Sequence, residues 1–159
     1  MLKMKDCGSC SLCCKLIEVP GLAEAGKWCP HCKPGTSSGG CTIHEDRPEV
    51  CRGWHCFWRA EEWPDGLRPD RCKVIFEALP GVMTILVSVE PSRSDAWKSK
   101  KILEVIHTLQ KKGRPLVVRT KNDSVTFLAE GYSKADVLRD IKKVIDWKEK
   151  THGSSNLHN

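Results

Sequence analysis

The sequence predicts an α+β protein in two parts. A loop-rich half stapled by cysteine or metal runs to about residue 72, and a ββαββα unit follows, an antiparallel sheet with two helices on one face. Three observations lead there. All ten cysteines fall at or before Cys72. The stretch CPHCKPGTSSGGC (29–41) has neither helical nor strand periodicity. Beyond residue 73, alternating β-rich runs and amphipathic stretches each appear twice.

The elements follow in order. Residues 1–72 form a cysteine-rich metal-binding domain, with too few apolar side chains to offset the entropy of ordering so much loop. KVIFEALPGVMTILVSVE (73–90) reads as a hairpin turning at Pro80-Gly81, with Met83, Ile85, Val87 and Val89 at period two. SRSDAWKSKKILEVIHTLQKKG (92–113) reads as a helix with Ser94 as N-cap and Gly113 as C-cap. Its stripe is Ile102, Val105, Ile106 and Leu109. PLVVRTKNDSVTFLAEG (115–131) is a second hairpin that turns at Lys121-Asn122-Asp123, with Val125 and Phe127 on one face. SKADVLRDIKKVIDWKEK (133–150) is a second helix, capped by Ser133 with Asp136 three residues on, its stripe Val137, Ile141, Val144 and Ile145. Residues 73–150 thus make the α+β domain, and 151–159 a flexible tail.

Composition narrows the function. Hydrophobic residues at 40% and charged residues at 29% describe a globular chain. No run approaches the ~18 apolar residues of a membrane span, and MLKMKDCGSC lacks the apolar h-region of a secretory signal. The compartment this predicts is the reducing cytosol, where clustered cysteines bind metal or do redox chemistry rather than form structural disulfides. Of the net charge of +6, residues 1–75 carry +1 and residues 76–159 carry +5. The basic residues are spread over helix surfaces without aromatic interleaving, so no nucleic-acid partner is expected.

CGSCSLCC (7–14) is the densest cluster. Cys7–Cys10 and Cys29–Cys32 have C-x-x-C spacing, in which a short turn aims two thiolates at one metal, and Cys10–Cys13 overlaps the first. Adjacent cysteines seldom chelate one ion, so Cys13 and Cys14 are expected to face different directions, as a hub between two centres.

Together CGSCSLCC, Cys29 and GGCTIHEDRPEVCRGWHCFW (39–58) resemble the CxxCxxCC family of bacterial and archaeal zinc- or iron-chelating domains. RPDR (68–71) is similar to a continuation found in some bacterial members. The resemblance covers about the first 72 residues and says little about the remainder. It implies a ligand set of Cys7, Cys10, Cys13, Cys14, Cys29, Cys41, Cys51 and Cys56. Eight thiolates suit two four-coordinate sites, or one cluster with spare ligands. Cys32 is outside the family pattern, and Cys72, at the hairpin edge, reads as a small buried hydrophobe. His44 has ligand spacing from Cys41, although the family often carries Tyr there. His31 and His55, flanked by ligand cysteines, are further candidates.

Arg47 and Arg52 are the expected counter-charges. A zinc ion with four thiolates carries about −2, and burying that charge calls for cations or N–H donors around the ligands. Their other reading is a pair of surface salt bridges to Glu45, Asp46 or Glu49. Trp54, Phe57, Trp58 and Trp63 are expected to form a small core shielding the site.

Zinc is the first choice of metal, on the paired C-x-x-C turns in a loop-rich setting. The alternative is an iron–sulfur cluster of [4Fe-4S] type. Cys7, Cys10 and Cys13 repeat the first three ligands of bacterial ferredoxins, but Cys14 then follows at once and the ferredoxin Pro is absent. Two function classes stay open. One is a non-catalytic metal-binding module whose C-terminal domain meets a protein partner. The other is an iron–sulfur enzyme or electron-transfer component acting on a protein or peptide, which the related cysteine domain of flagellin lysine methylases favours. No G-x-G-x-x-G, P-loop or radical-enzyme C-x-x-x-C-x-x-C spacing is present.

Overall fold

The computed structural model describes residues 4–37, 39–61, 63–79 and 81–153. Five strands run β1 (His55–Cys56), β2 (Val74–Ala78), β3 (Ile85–Val89), β4 (Leu116–Arg119) and β5 (Ser124–Phe127). They lie side by side in that same order in one sheet. Four short helices precede the sheet's centre or cross its edge: α1 (Cys13–Leu16), α2 (Glu49–Gly53), α3 (Phe57–Ala60) and α4 (Pro69–Cys72). Two long ones, α5 (Lys100–Lys111) and α6 (Lys134–Gly153), cover it. The mixture is consistent with the α+β class.

Two features of the expected sheet are corrected. It is mixed rather than antiparallel, because β3 and β4 pair in parallel, Ile85 opposite Leu116 and Val87 opposite Val118. A parallel pair needs a long crossover, and α5 supplies it. The two long helices also sit on opposite faces. Ile102, Ile106 and Leu109 of α5 pack with Phe76, Ile85, Val87, Leu116 and Val118, whereas Val137 and Val144 of α6 pack on Leu86 and Val117. The cause lies in the central strands. β3 is buried at every position and β4 at its first three, so both faces must be covered.

Local signals set the helix ends. Gly113 is at φ 79°, its N–H donates to Gln110 O and that of Arg114 to Leu109 O (3.0 Å each), the two bonds of a Schellman cap. Helix α5 starts later than its sequence suggests. Single 3₁₀ turns occupy Pro91–Arg93 and Ala96–Lys98, and Ser99, not Ser94, is the N-cap. At α6 the capping box forms reciprocally: Ser133 N donates to Asp136 Oδ2 (2.9 Å) and Asp136 N to Ser133 Oγ (3.2 Å). These bonds hold the Asp136 carboxyl below its usual range. Ile145 is 49% exposed and lies outside the buried stripe. The helix continues through Thr151–Gly153, and residues 154–159 of the expected tail lie outside the described residues.

The first 72 residues share this sheet. β1 pairs with β2, His55 opposite Ala78 and Cys56 opposite Glu77. Phe57, Trp58, Leu67 and Cys72 join the α5-side core, where Trp63 meets Phe76 edge to face at 5.1 Å. On the opposite face, Leu12, Leu16 and Ile17 pack on Ile75 with Cys10, flanked by Cys13 and Trp54. On the same face as Ile75 lies Glu77, fully buried. It accepts from Arg119 Nη2 (2.7 Å), Ser88 Oγ (2.9 Å) and Trp54 Nε1 (3.3 Å). The cysteine layer is thereby fastened to the sheet by an apolar cluster, by Trp54 on the buried Glu77 carboxylate, and by the Lys15–Glu90 ion pair.

Candidate metal centre

Main-chain hydrogen bonds draw the cysteine segments together. Cys10 N donates to Cys7 O and Cys32 N to Cys29 O, both at 3.0 Å, so each C-x-x-C stretch is a closed turn. Cys29 N donates to Cys14 O (2.8 Å) and joins the second turn to the end of CGSCSLCC. Cys32 and Cys41 face each other as an antiparallel bridge, flanked by Lys33 N on Gly40 O and Thr42 N on His31 O, both 2.8 Å. Gly40 is required there: at φ 82° a Cβ would stand 2.4 Å from Lys33 O. Cys51 rides on α2, whose Gly53 leaves room for Trp147 of α6, since a Cβ would sit 2.9 Å from its ring.

All ten cysteines are free thiols; Cys10 and Cys72 are buried and the rest half-buried. Desolvation disfavours a thiolate, and burial is the largest cause raising Cys7, Cys10, Cys29, Cys32, Cys51 and Cys56. Cys56 is pushed up to about 12, and Cys32 and Cys51 to about 11. Cys14 is raised most, first by its hydrogen bond with Cys13 and then by burial.

The smaller contributions map which thiols are neighbours. Cys56 is raised by Cys10 and Cys7, and Cys10 by Cys7. Cys51 is raised by Cys14, Cys29 and Cys41; Cys29 by Cys14 and Cys41; Cys32 by Cys14 and Cys29. Backbone N–H groups partly compensate, donated by Trp58 and Arg59 to Cys56, by Leu12 and Asp70 to Cys10, and by His31 to Cys29. Such donors stabilise thiolate ligands.

The arginines are placed as follows. Arg47 Nη1 donates to His44 O and meets His44 Nε2, both at 2.7 Å. Arg52 donates to Arg47 O (3.0 Å) and Glu45 O (2.8 Å). Both therefore tie down the 44–52 loop through its carbonyls. The charge of Arg47 still eases ionisation of Cys51. Beside Cys7 the cations are Arg59 and Arg68, which the sequence did not single out. The signal was there in RPDR, which supplies Arg68 and the Asp70 N–H. His44 is tied to Arg47 and Glu45 at the surface, and the buried Nδ1 of His55 has no hydrogen-bond partner among the described residues. Of the aromatic residues, Trp54 alone joins the cluster of Cys10 and Cys13; Phe57, Trp58 and Trp63 belong to the α5-side core. Cys72 donates to Leu67 O (3.4 Å) and Val74 O (3.3 Å) within that core.

The donor set has the chemistry of a soft-metal site: thiols on closed turns, N–H groups aimed at sulfur, and arginines at the rim. Among the described residues, no three His, Cys, Asp or Glu side chains stand in an arrangement that would hold a metal ion. No family model, curated protein or solved structure matches this chain.

Proposed function

We propose that the chain is a metal-binding protein that holds zinc through its clustered cysteine thiolates and acts as a non-catalytic module in the cytosol. The observation that carries this reading is the gathering of thiols far apart in sequence, with turn and bridge hydrogen bonds ordering a region poor in apolar contacts. The ligands would be Cys7, Cys10, Cys13, Cys14, Cys29, Cys41, Cys51 and Cys56, in keeping with the resemblance to the CxxCxxCC family. Zinc would staple the loops before residue 55, and structural zinc contributes on the order of 10 kcal/mol of folding free energy. Each thiol must lose its proton, so the backbone N–H groups on Cys10, Cys29 and Cys56 and the charges of Arg47, Arg59 and Arg68 would stabilise the bound form. The helix-covered sheet is left to meet a protein partner. Among the described residues, no helix is long and apolar enough to cross a membrane.

An iron–sulfur enzyme or electron-transfer component is the second reading. It is favoured by the charge coupling of Cys56 to Cys7 and Cys10, which gives C-x-x-C-x-x-C a distant fourth thiol. Elemental mass spectrometry of anaerobically purified protein tests both. About one equivalent or more of zinc per chain supports the module. Iron with sulfide and ~400 nm absorbance supports the cluster. Failure to retain either metal, as purified and after reconstitution, overturns the metal-binding reading.

A further inference from the structure

We propose that Cys32 and Cys41 are a site of reversible oxidation, closing as a disulfide when the chain meets a low-molecular-weight disulfide. The main chain carries the argument. Cys32 and Cys41 stand directly opposite each other in an isolated antiparallel bridge. Lys33 N donates to Gly40 O on one side of the pair and Thr42 N to His31 O on the other, both at 2.8 Å. With the bonds on the flanking residues, the cysteines themselves are a non-hydrogen-bonded pair. In such a pair the Cα atoms approach to about 4.5 Å and the side chains leave the same side of the ribbon. A disulfide needs Cα atoms about 4.4–6.8 Å apart, so this backbone can take one without moving. Thr42 Oγ1 donates to the same His31 carbonyl (3.0 Å) and strengthens that end of the bridge. Gly40 lets the two segments close at the other, because a Cβ there would collide with the Lys33 carbonyl.

Both thiols are free and half-buried, and residues 33–37 beyond the bridge are exposed, so a small reagent can reach the pair. One cysteine, as its thiolate, attacks a sulfur of the reagent. A protein–reagent S–S bond forms, the reagent's own S–S bond breaks, and one reagent thiolate leaves. The second cysteine then attacks the protein sulfur of the mixed disulfide, forming the Cys32–Cys41 bond and releasing the other reagent thiolate. The two cysteines give up two protons and two electrons between them, and the reagent takes up both as two thiols. Cys32 has two rivals to Cys41. Cys29 is joined to it by a single main-chain bond at 3.0 Å, and Cys14 by a sulfur contact; neither is held opposite it by bonds on both flanks. The step needs no metal. Cys41 also belongs to the ligand set proposed above, and a disulfide sulfur is no thiolate donor, so oxidation would withdraw it from zinc. Only that consequence rests on the metal-binding reading.

Redox titration of the full chain in glutathione buffers, with chelator present, tests the pairing. Free thiols are trapped with N-ethylmaleimide, and linked peptides are read by tandem mass spectrometry without reduction. The Cys32–Cys41 link should appear at a lower oxidised fraction of glutathione than any other and should dominate. Denaturing urea should abolish that preference. Gly40→Ala touches neither sulfur and should lower the equilibrium constant for this link about tenfold, because it disturbs the bridge that aligns them. Preferential linkage of Cys32 to Cys29 or to Cys14 overturns the proposal, as does the same preference in urea or an unchanged constant in Gly40→Ala. Zinc uptake by the reduced and the oxidised chain tests the consequence separately, and oxidation should lower it. A chain that forms the link but binds no zinc even when reduced overturns the metal-binding reading and leaves the disulfide standing.

Discussion

The α5-side core and the cysteine layer across the sheet from it are held by different physics. On the α5 side, Ile102, Ile106, Leu116 and Val118 are wholly buried with Phe57, Trp58 and Phe76, aliphatic and aromatic surface removed from water in one continuous cluster. On the cysteine side, Leu12, Leu16 and Ile17 offer a much smaller patch to Ile75. The rest of that layer is held by turns, the Cys32–Cys41 bridge and the Lys15–Glu90 ion pair at 2.7 Å. Apolar burial stabilises in proportion to area and needs no partner beyond the chain. Thiol-rich loops make their strongest bonds only when something binds them. The comparison separates a layer held by apolar burial from one held mainly by turns, main-chain bonds and one ion pair.

Core truncation should break the symmetry most strongly. Ile106→Ala should cost about 4 kcal/mol by urea unfolding, while Leu16→Ala in metal-free protein should cost about 2 kcal/mol. Equal losses would mean that both faces are full cores. The buried ion pair within the sheet comes next. Arg119→Met leaves the buried Glu77 carboxylate without its cation and should cost about 2 kcal/mol, less than a wholly buried pair because the arginine is partly exposed. Adding Glu77→Leu should recover most of that loss, and a double variant no more stable than Arg119→Met would show that the unpaired carboxylate is not its cause.

The smallest effect concerns alkaline pH, read on metal-free protein. Burial first, then neighbouring thiolates, hold Cys51 near 11 and Cys32 near 11, and burial chiefly holds Cys56 near 12, above the ordinary 9.0. A raised thiol favours the folded state fully below pH 9 and loses that contribution as pH rises through 11 to 12. Stability should therefore decline above pH 9, and thiolate absorbance near ~240 nm should rise late. Zinc-loaded protein, its ligand thiols already ionised, should show a smaller decline, because Cys32 lies outside the proposed ligand set. Titration of every thiol near 9 in the folded metal-free chain would contradict the burial of the cysteine layer.

Much of the second half was legible because its signals are local. Period-two runs marked β2 to β5, the Ser133–Asp136 box and Gly113 marked helix ends, and Ile102, Ile106 and Leu109 marked the buried side of α5. Ser94 failed as a cap because Pro91–Arg93 and Ala96–Lys98 close as separate 3₁₀ turns first. Glu77 was unreadable, since a carboxylate in a strand ordinarily signals solvent, and only Arg119, Ser88 and Trp54, distant in sequence, make its burial tolerable. In the cysteine half, the C-x-x-C spacings stated that pairs of thiols share a turn. Which pairs meet across segments depended on the Cys29–Cys14 and Cys32–Cys41 main-chain contacts.

By itself, then, the sequence determined strand and helix periodicity, the Ser133–Asp136 box, the Gly113 cap and the closure of the two thiol turns, because each depends on residues within a few positions of one another. Tertiary structure alone decided that β3 and β4 run parallel and that α5 and α6 take opposite faces. It also decided that Cys29 N–H meets Cys14 O and that Cys32 bridges to Cys41. The physical reason is the same throughout: an alternating pattern says that a strand has two faces, and a thiol says that it can bind, but only the folded chain brings the partner that each one meets.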